Sequence, residues 1–417
     1  MSEKIYDIAI IGAGAAGIVA ALSAKEYGVT PVLIEGSERI GQKILSTGNG
    51  KCNLSHDNID ADSYYGSGSL RVLDYLKQFG TSDTIDFYGK LGMLTRNRDG
   101  YYYPYSEQAS TVLDVLRFSL DKAGIPIISN CKISKIIKAS HGYTFSSADT
   151  SFKARKLIIT TGGCSAPKTG SDGSGMSVLS RLGVNVVKCM PALVKVKSSA
   201  SFCKAVDGVR AKGIARLRID GADTEYSDQG EIQFTKDGLS GIPIFNLSRY
   251  IAYSLDQNKT VNVRLDLMPE YTEQELFKII NDKYEYLNYS CTPEILFTGL
   301  VNKKIILALL KLIGVKPEEK QELTTKQVSK FCYYLKNLEY DITDVYGFEQ
   351  SQVTAGGVDF AEVNDTLEIL KYPGIYLAGE ILDIDGKCGG YNLQWAWTSG
   401  YLAGKYCAEA LTNETSC

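Results

Sequence analysis

Histidine is almost missing from this chain: His56 and His141 are the only two in 417 residues. So small a supply argues against a histidine-built metal centre and against a Ser-His-Asp triad. No metal site is expected. The ten cysteines include no C-x-x-C pair, which removes the zinc ribbon and the thioredoxin-type redox motif. Cys52, Cys131, Cys164, Cys189, Cys203, Cys291, Cys332, Cys388, Cys407 and Cys417 are scattered, as reduced and packed thiols are in a cytosolic chain. No apolar run approaches bilayer-spanning length; the run at 305–310 is fenced by Lys303, Lys304 and Lys311. The opening Met1-Ser2-Glu3-Lys4 leads straight into a strand-like run without a signal core, so a cytoplasmic location and no membrane partner are expected. A net charge of −3 leaves no global basic footprint, which argues against nucleic acid as a partner. Oligomeric state leaves no trace in the sequence.

What is abundant is glycine, 40 residues, and tyrosine, 27. Residues 5–11 form a β-branched run with little alternation, as in a parallel strand buried on both faces. Gly12-x-Gly14-x-x-Gly17 follows at once, and a helical pattern runs to Tyr27, with Gly28 placed to end it. The strand-like 31–35 then closes a β-α-β unit. A lone G-x-G-x-x-G is weak; one that follows a strand, opens a helix and meets an acid at the end of the next strand, Glu35, predicts a dinucleotide site. Gly12 allows the tight turn, Gly14 lets backbone amides approach a pyrophosphate, and Gly17 lets the helix pack closely on the sheet. Ala15 and Ala16 supply the helix N-terminus for the phosphates, and Gly36 follows the acid that accepts from ribose hydroxyls. NADP is disfavoured there, because its 2′-phosphate would meet the carboxylate.

Further along, helical spacing runs from 70 to 91 and from 106 to 123. Strands are expected at 125–129, 132–138, 143–146 and 157–160. After Pro191 the character changes. Residues 191–267 read as β-rich and 268–350 as helical, with helices at 273–284, 303–313 and 325–335. From 351 the chain is glycine-rich again, and a last helix is expected over 393–411. The expected organisation is therefore α/β: a Rossmann-type cofactor domain (1–190 and 351–417) interrupted by an insertion. Glycine-rich loops at 46–53, 161–175 and 379–392, far from the fingerprint, suit a long bent cofactor such as FAD better than NAD alone.

Ile40-Gly-Gln-Lys-Ile-Leu-Ser-Thr-Gly-Asn-Gly-Lys-Cys-Asn53 resembles the signature of the BaiN/RdsA-like (YhiN-like) flavoprotein family. Thr161-Gly-Gly-Cys-Ser-Ala-Pro167 with 170–175, Val353-Thr-Ala-Gly-Gly-Val358, and Gly379-Glu380 leading into Gly389-Gly-Tyr-Asn-Leu-Gln-Trp395 agree in order. The resemblance spans essentially the whole chain; Lys51 departs from it, where arginine is frequent. It implies non-covalent FAD on a glutathione-reductase-like fold with an inserted β-barrel-like plus helical domain. It places Gly12, Gly14, Gly17 and Glu35 on the ADP half, and Lys43, Ser46, Gly48, Asn49 and Asn53 in the loop past the flavin. Ile133 would stand near adenine, Thr161 and Gly162 where the chain returns to the cofactor, and Gly379 and Glu380 at the ribityl chain. Gly390, Tyr391, Asn392 and Leu393 would open the last helix with their amides toward the N1/O2 side of the flavin, where charge builds on reduction. A more distant likeness to fumarate reductase and succinate dehydrogenase flavoproteins rests on Thr161-Gly-Gly and Gly173-Ser-Gly175.

The function these features imply is FAD-dependent hydride transfer between flavin N5 and a small organic substrate, with an NAD(P)H-linked reductase of C=C bonds favoured. NAD(P)H would visit transiently, because no second fingerprint exists. The alternatives are an oxidase of an amine or amino-ketone using oxygen and, from another class, a flavin-containing RNA-associated or binding protein. The last draws on the basic residues Lys195, Lys197, Lys204, Arg210, Lys212, Arg216 and Arg218. Tyr391, Lys43 and Cys52 are the candidates for acid, anion or thiol chemistry, each set against a packing or surface role.

Overall fold

A computed structural model describes residues 4–415, which leaves Cys417 outside the described residues. The chain divides into two units, Met1–Met190 with Phe348–Cys417, and Pro191–Gly347.

The first unit is built on a seven-stranded sheet. Ile5–Ile11 lies at its middle, pairing in parallel with Val32–Ile34 on one side and Ser151–Ile159 on the other. Ile127–Ile128 extends one edge in parallel. Ile375–Leu377 runs parallel beside the C-terminal half of Ser151–Ile159, and the antiparallel hairpin of Lys135–Ala139 and Gly142–Ser146 joins its N-terminal half. Ile8, Ala9, Ile10, Val32, Leu33, Leu157 and Ile158 are fully buried. Strands covered on both faces read as unbroken apolar runs, and these do.

Two helices on this sheet share a seam of small residues. The first is Ala15–Glu26 and the last is Tyr391–Thr415. A Cβ added at Gly400 would stand 2.4 Å from the Ala16 carbonyl oxygen, and one at Gly404 2.3 Å from that of Ala20. Glycine one turn apart on one helix thus lets two backbones nearly touch.

The second unit is a closed six-stranded barrel with helices. Its strand order is Val196–Ser198, Gly238–Gly241, Ala222–Thr235, Arg210–Ile219, Val261–Asp266 and Leu338–Val345, which returns to the first. It has a separate apolar core, in which Phe234, Leu239, Val263, Leu265 and Phe331 are fully buried.

Three expectations are corrected. The helical run expected over 70–91 is two helices, Ser69–Leu76 and Thr81–Lys90, because Gly80 turns extended and its amide is taken by Asp83 of the next helix. The stretch read as β-rich contains a fifteen-residue helix, Ile242–Asp256, opened by Pro243 in its first turn. The stretch read as helical supplies the barrel's last strand, Leu338–Val345. Among the described residues no helix is long and apolar enough to cross a membrane.

Candidate functional site

The parallel strands end in one crevice of about 390 Å³, lined by Ile11, Ile34, Thr160 and Ala378 with the loops that follow them. Ligands of open α/β sheets bind outside the carboxyl ends of the strands, so the crevice lies where the fold builds such sites.

Its floor is the fingerprint turn. Gly12 has φ +105°, and a Cβ there would come within 2.6 Å of the Thr160 carbonyl oxygen; one on Gly17 would come within 1.9 Å of that of Gly12. The Thr160 hydroxyl donates to the Gly12 carbonyl at 2.7 Å, pinning the turn to the neighbouring strand. A Cβ on Gly14, by contrast, meets no described atom within 4 Å: its open side faces the space a ligand would fill. The helix that starts there has neither a side-chain cap nor an acid in its first turn. Its terminal amides and dipole are thus available to an anion.

Glu35 is held by two backbone amides: Ala13 donates to Oε2 and Ser37 to Oε1, each at 2.8 Å. Each carboxylate oxygen retains a lone pair for a ribose hydroxyl. Farther along the wall, the hydroxyl oxygens of Thr161 and Ser171 are buried without a partner. Such a group costs about 1–3 kcal/mol when left unsatisfied, so two of them beside one cavity point to a polar ligand. At the other end Lys43 Nζ meets Glu380 Oε2 at 2.6 Å, and Glu380 Oε1 accepts from the Thr354 amide at 2.7 Å. Asn392 and Leu393, in the first turn of the closing helix, complete the lining with Trp395 and Ala396.

Of the residues singled out from the sequence, Gly12, Gly14, Ala15, Ala16, Glu35, Gly36, Lys43, Ile133, Thr161, Gly162, Gly379, Glu380, Asn392 and Leu393 all line this cavity. Others stand away from the lining. Gly17 packs behind it. Ser46, Gly48 and Asn49 are exposed, and Ser46 Oγ donates back to the Lys43 carbonyl at 2.9 Å. Asn53 is buried with its Oδ1 unpartnered, 2.8 Å from where a Cβ on Gly390 would be. Asn392 also works as a staple: its side chain accepts from the Gly386 amide and donates to the Gly386 carbonyl, both at 2.8 Å.

Tyr391 lies in an aromatic cluster. Its ring stacks on His56 at 5.1 Å, its hydroxyl donates to the Asn58 carbonyl at 3.1 Å, and burial pushes its pKa up to about 12. His56 accepts from the Asn58 amide at Nδ1, and burial lowers its pKa. Cys52 is fully buried, and burial pushes its thiol up to about 12. Four of the seven basic residues weighed for RNA are ion-paired: Lys197 with Asp344, Arg210 with Glu231, Arg216 with Asp266, and Arg218 with Asp223 and Glu339.

The cavity also uses Ser37, Arg39, Gln42 and Ser171, which sequence reasoning passed over. Ser171 fell inside the glycine-rich 170–175 segment, so its place was visible and its role was not. Ser37 and Arg39 carried no motif signal.

Residues 6–406 match a family model described as the HI0933-like protein Rossmann domain. The chain is 40% identical over 409 residues, 96% of its length and 99% of the relative's, to the 3-dehydro-bile acid delta(4,6)-reductase of Clostridium scindens. It is 26% identical to the ribosomal RNA dihydrouridine synthase of Escherichia coli, across 97% of this chain and 98% of that one. Among solved structures, the 3-ketosteroid-delta4-(5alpha)-dehydrogenase of Rhodococcus jostii RHA1 aligns with a TM-score of 0.51 at 14% identity, covering 98% of each chain. That likeness speaks to the fold alone.

Proposed function

The chain belongs to the HI0933-like Rossmann-domain family, and from that premise we propose that it is a FAD-dependent reductase of a carbon–carbon double bond conjugated to a carbonyl, in a small and largely apolar substrate, with NAD(P)H as the electron source. At the coarser level it is a flavin oxidoreductase. The observation that carries the finer reading is the 40% identity, end to end, with a reductase acting on a 3-dehydro-bile acid. The more distant relative is named for making dihydrouridine, which is uridine with one ring double bond saturated. The shared chemistry is hydride addition to an electron-poor C=C bond.

The cavity residues fit FAD. The two unpartnered hydroxyls, the open face of Gly14 and the doubly anchored Glu35 suit a polar, phosphate- and ribose-bearing ligand. Bound, FAD supplies a two-electron carrier that exchanges hydride with a substrate. The protein's share is binding and electrostatics. Glu35 would take the ribose hydroxyls, the amides of residues 14–16 the pyrophosphate, and Thr161 and Ser171 further polar atoms. Lys43 offsets the Glu380 charge, so this end of the cavity holds a neutral pair. The positive end of the closing helix, at Asn392 and Leu393, favours a ligand group that becomes anionic.

An RNA substrate is the second reading, favoured by the dihydrouridine synthase likeness alone. The ion-paired strands of the second unit disfavour it. The test is anaerobic stopped-flow spectroscopy of the yellow protein. NADH or NADPH should bleach the flavin, and a 3-oxo-4,6-diene steroid acid should restore the colour while its diene absorbance is lost. Bleaching only by amines, with peroxide released in air, would make the enzyme an oxidase. Reoxidation by RNA but by no enone would reverse the order of the two readings.

A further inference from the structure

The strand Tyr101–Pro104 pairs antiparallel with Thr95–Arg98, which sets Arg96 opposite Tyr103 and Arg98 opposite Tyr101. Directly opposed residues share a face, and so do alternate residues of one strand. Arg96, Arg98, Tyr101 and Tyr103 therefore stand on one side of this small sheet. Tyr105 joins them, with the Arg96 guanidinium carbon 4.0 Å from the centre of its ring. Tyr102 turns the opposite way, onto the apolar core. The face runs up to the start of the closing helix. A Cβ on Gly389 would stand 2.8 Å from the Tyr101 ring, and the cavity-lining Asn392 and Leu393 follow in sequence.

Charge on this face is unbalanced. Lys51 Nζ meets Glu107 Oε2 at 3.2 Å, Arg96 Nη1 meets Oε1 at 3.2 Å, and Arg98 forks onto both oxygens at 2.8 and 3.2 Å. Among the described residues no other carboxylate pairs with these three cations, so two positive charges are left over. Glu107 reaches them from a left-handed turn, φ +53°, with its amide donating to the Pro104 carbonyl at 2.8 Å. The Arg96 Nε is buried without a partner. Lys51 and Arg98 keep about half of each side chain open to solvent, 51% and 52%. The cluster is thus held in place by one shared acid and still accessible to a second.

We propose that this face docks a small apolar acid: Arg98 and Lys51 hold its carboxylate, and Tyr101 and Tyr103 support its apolar body beside the start of the closing helix. The unmatched charge selects an anion, and the planar guanidinium can take a carboxylate through two parallel hydrogen bonds. Alternate side chains of a strand lie about 7 Å apart, so the tyrosine rings offer a continuous apolar strip with polar tips. Rings beside the cations favour an acid with an apolar body over a bare phosphate group. The inference deepens the proposed reduction of an apolar carbonyl compound and rests on that reading for the identity of the body that carries the acid.

The FAD-loaded full-length protein is titrated calorimetrically with a saturated 3-oxo steroid acid, which has no double bond to reduce, and with its methyl ester. The acid should bind roughly tenfold more tightly than the ester, with the gap narrowing as salt is raised. Lys51→Gln, a change at an exposed side chain, should remove most of that gap, and Lys51→Arg should keep it. Arg98→Gln should act as Lys51→Gln does. Three outcomes would overturn the proposal: no binding of the acid, equal affinity for acid and ester in the unaltered protein, or a gap that survives both glutamine variants. Loss of NADPH affinity in Lys51→Gln with the acid's affinity intact would overturn it too, and would assign the cations to the dinucleotide. If the acid binds as expected but its unsaturated counterpart never reoxidises the reduced flavin, the proposed reaction fails and this site stands.

Discussion

Glu35 shows how one side chain can be committed before any ligand arrives. Two amides fix its carboxylate, so a ribose would meet acceptors already oriented. Glu35→Gln keeps the shape but loses the charge and puts an NH2 where one oxygen accepts. A hydrogen bond to a charged group is worth about 1.5–3 kcal/mol, so FAD should bind the apoprotein roughly ten- to a hundredfold more weakly. Titration by flavin fluorescence reads this; unchanged affinity would remove Glu35 from the site. Cys52 makes a prediction of another kind. Its thiol ordinarily ionises at 9.0 and is held up to about 12 by burial. The folded state keeps a proton that the unfolded chain gives up, so this contribution to stability is whole below pH 9.0 and is lost as pH rises toward 12. Cys52→Ala should flatten the alkaline fall in stability by about one proton's worth of slope. Denaturant titrations across that window measure it, and an unchanged slope would mean that the thiol ionises as freely in the fold as outside it.

At the scale of elements, the fingerprint helix and the closing helix hold each other in place. Ala16 belongs to both the cavity wall and the glycine seam, since its backbone lies under Gly400. Gly400→Ala would push a methyl to within 2.4 Å of that backbone, where no flexible side chain can yield. Overpacking of this kind costs about 1–3 kcal/mol, and here the strain falls on the helix turn that lines the cavity. A lowered melting temperature together with faster FAD release is expected; stability loss with unchanged FAD release would show that the seam and the site are separate. The same elements show what could be read from the chain. The β-α-β unit was legible because its glycines meet local demands: Gly12 needs a positive φ, and a Cβ on Gly17 would collide with the carbonyl of Gly12, five positions earlier. The helices Glu273–Tyr286, Lys303–Leu312 and Thr325–Lys336 were legible from periodicity, two of them opened by a Thr capping box. The break at Gly80 was not, because an apolar period continues across it, and the Leu338–Val345 strand was not, because its partners are far away in sequence.

At the scale of the molecule, long-range pairing explains both the successes and the misses. The cavity gathers residues from 11 to 396, and several of them were legible as motifs because the glycine-rich loops border it. Ser37, Arg39 and Ser171 did not announce themselves, since a side chain placed by its neighbours needs no motif. The second unit carries a further prediction. Its strands close on themselves, its core is separate from that of the sheet, and its ends are adjacent: the Tyr346 amide donates to the Lys195 carbonyl at 3.1 Å, and Val196 pairs with Val345. A closed barrel has no exposed edge to complete, and a unit of this size with its own core can fold alone. The excised fragment 191–347 should therefore be soluble, show mixed α/β circular dichroism, unfold in one cooperative transition and retain no FAD. A fragment that stays disordered would show that the barrel needs the sheet unit to form. A fragment that folds and binds FAD would contradict a cofactor cavity lined wholly by the first unit.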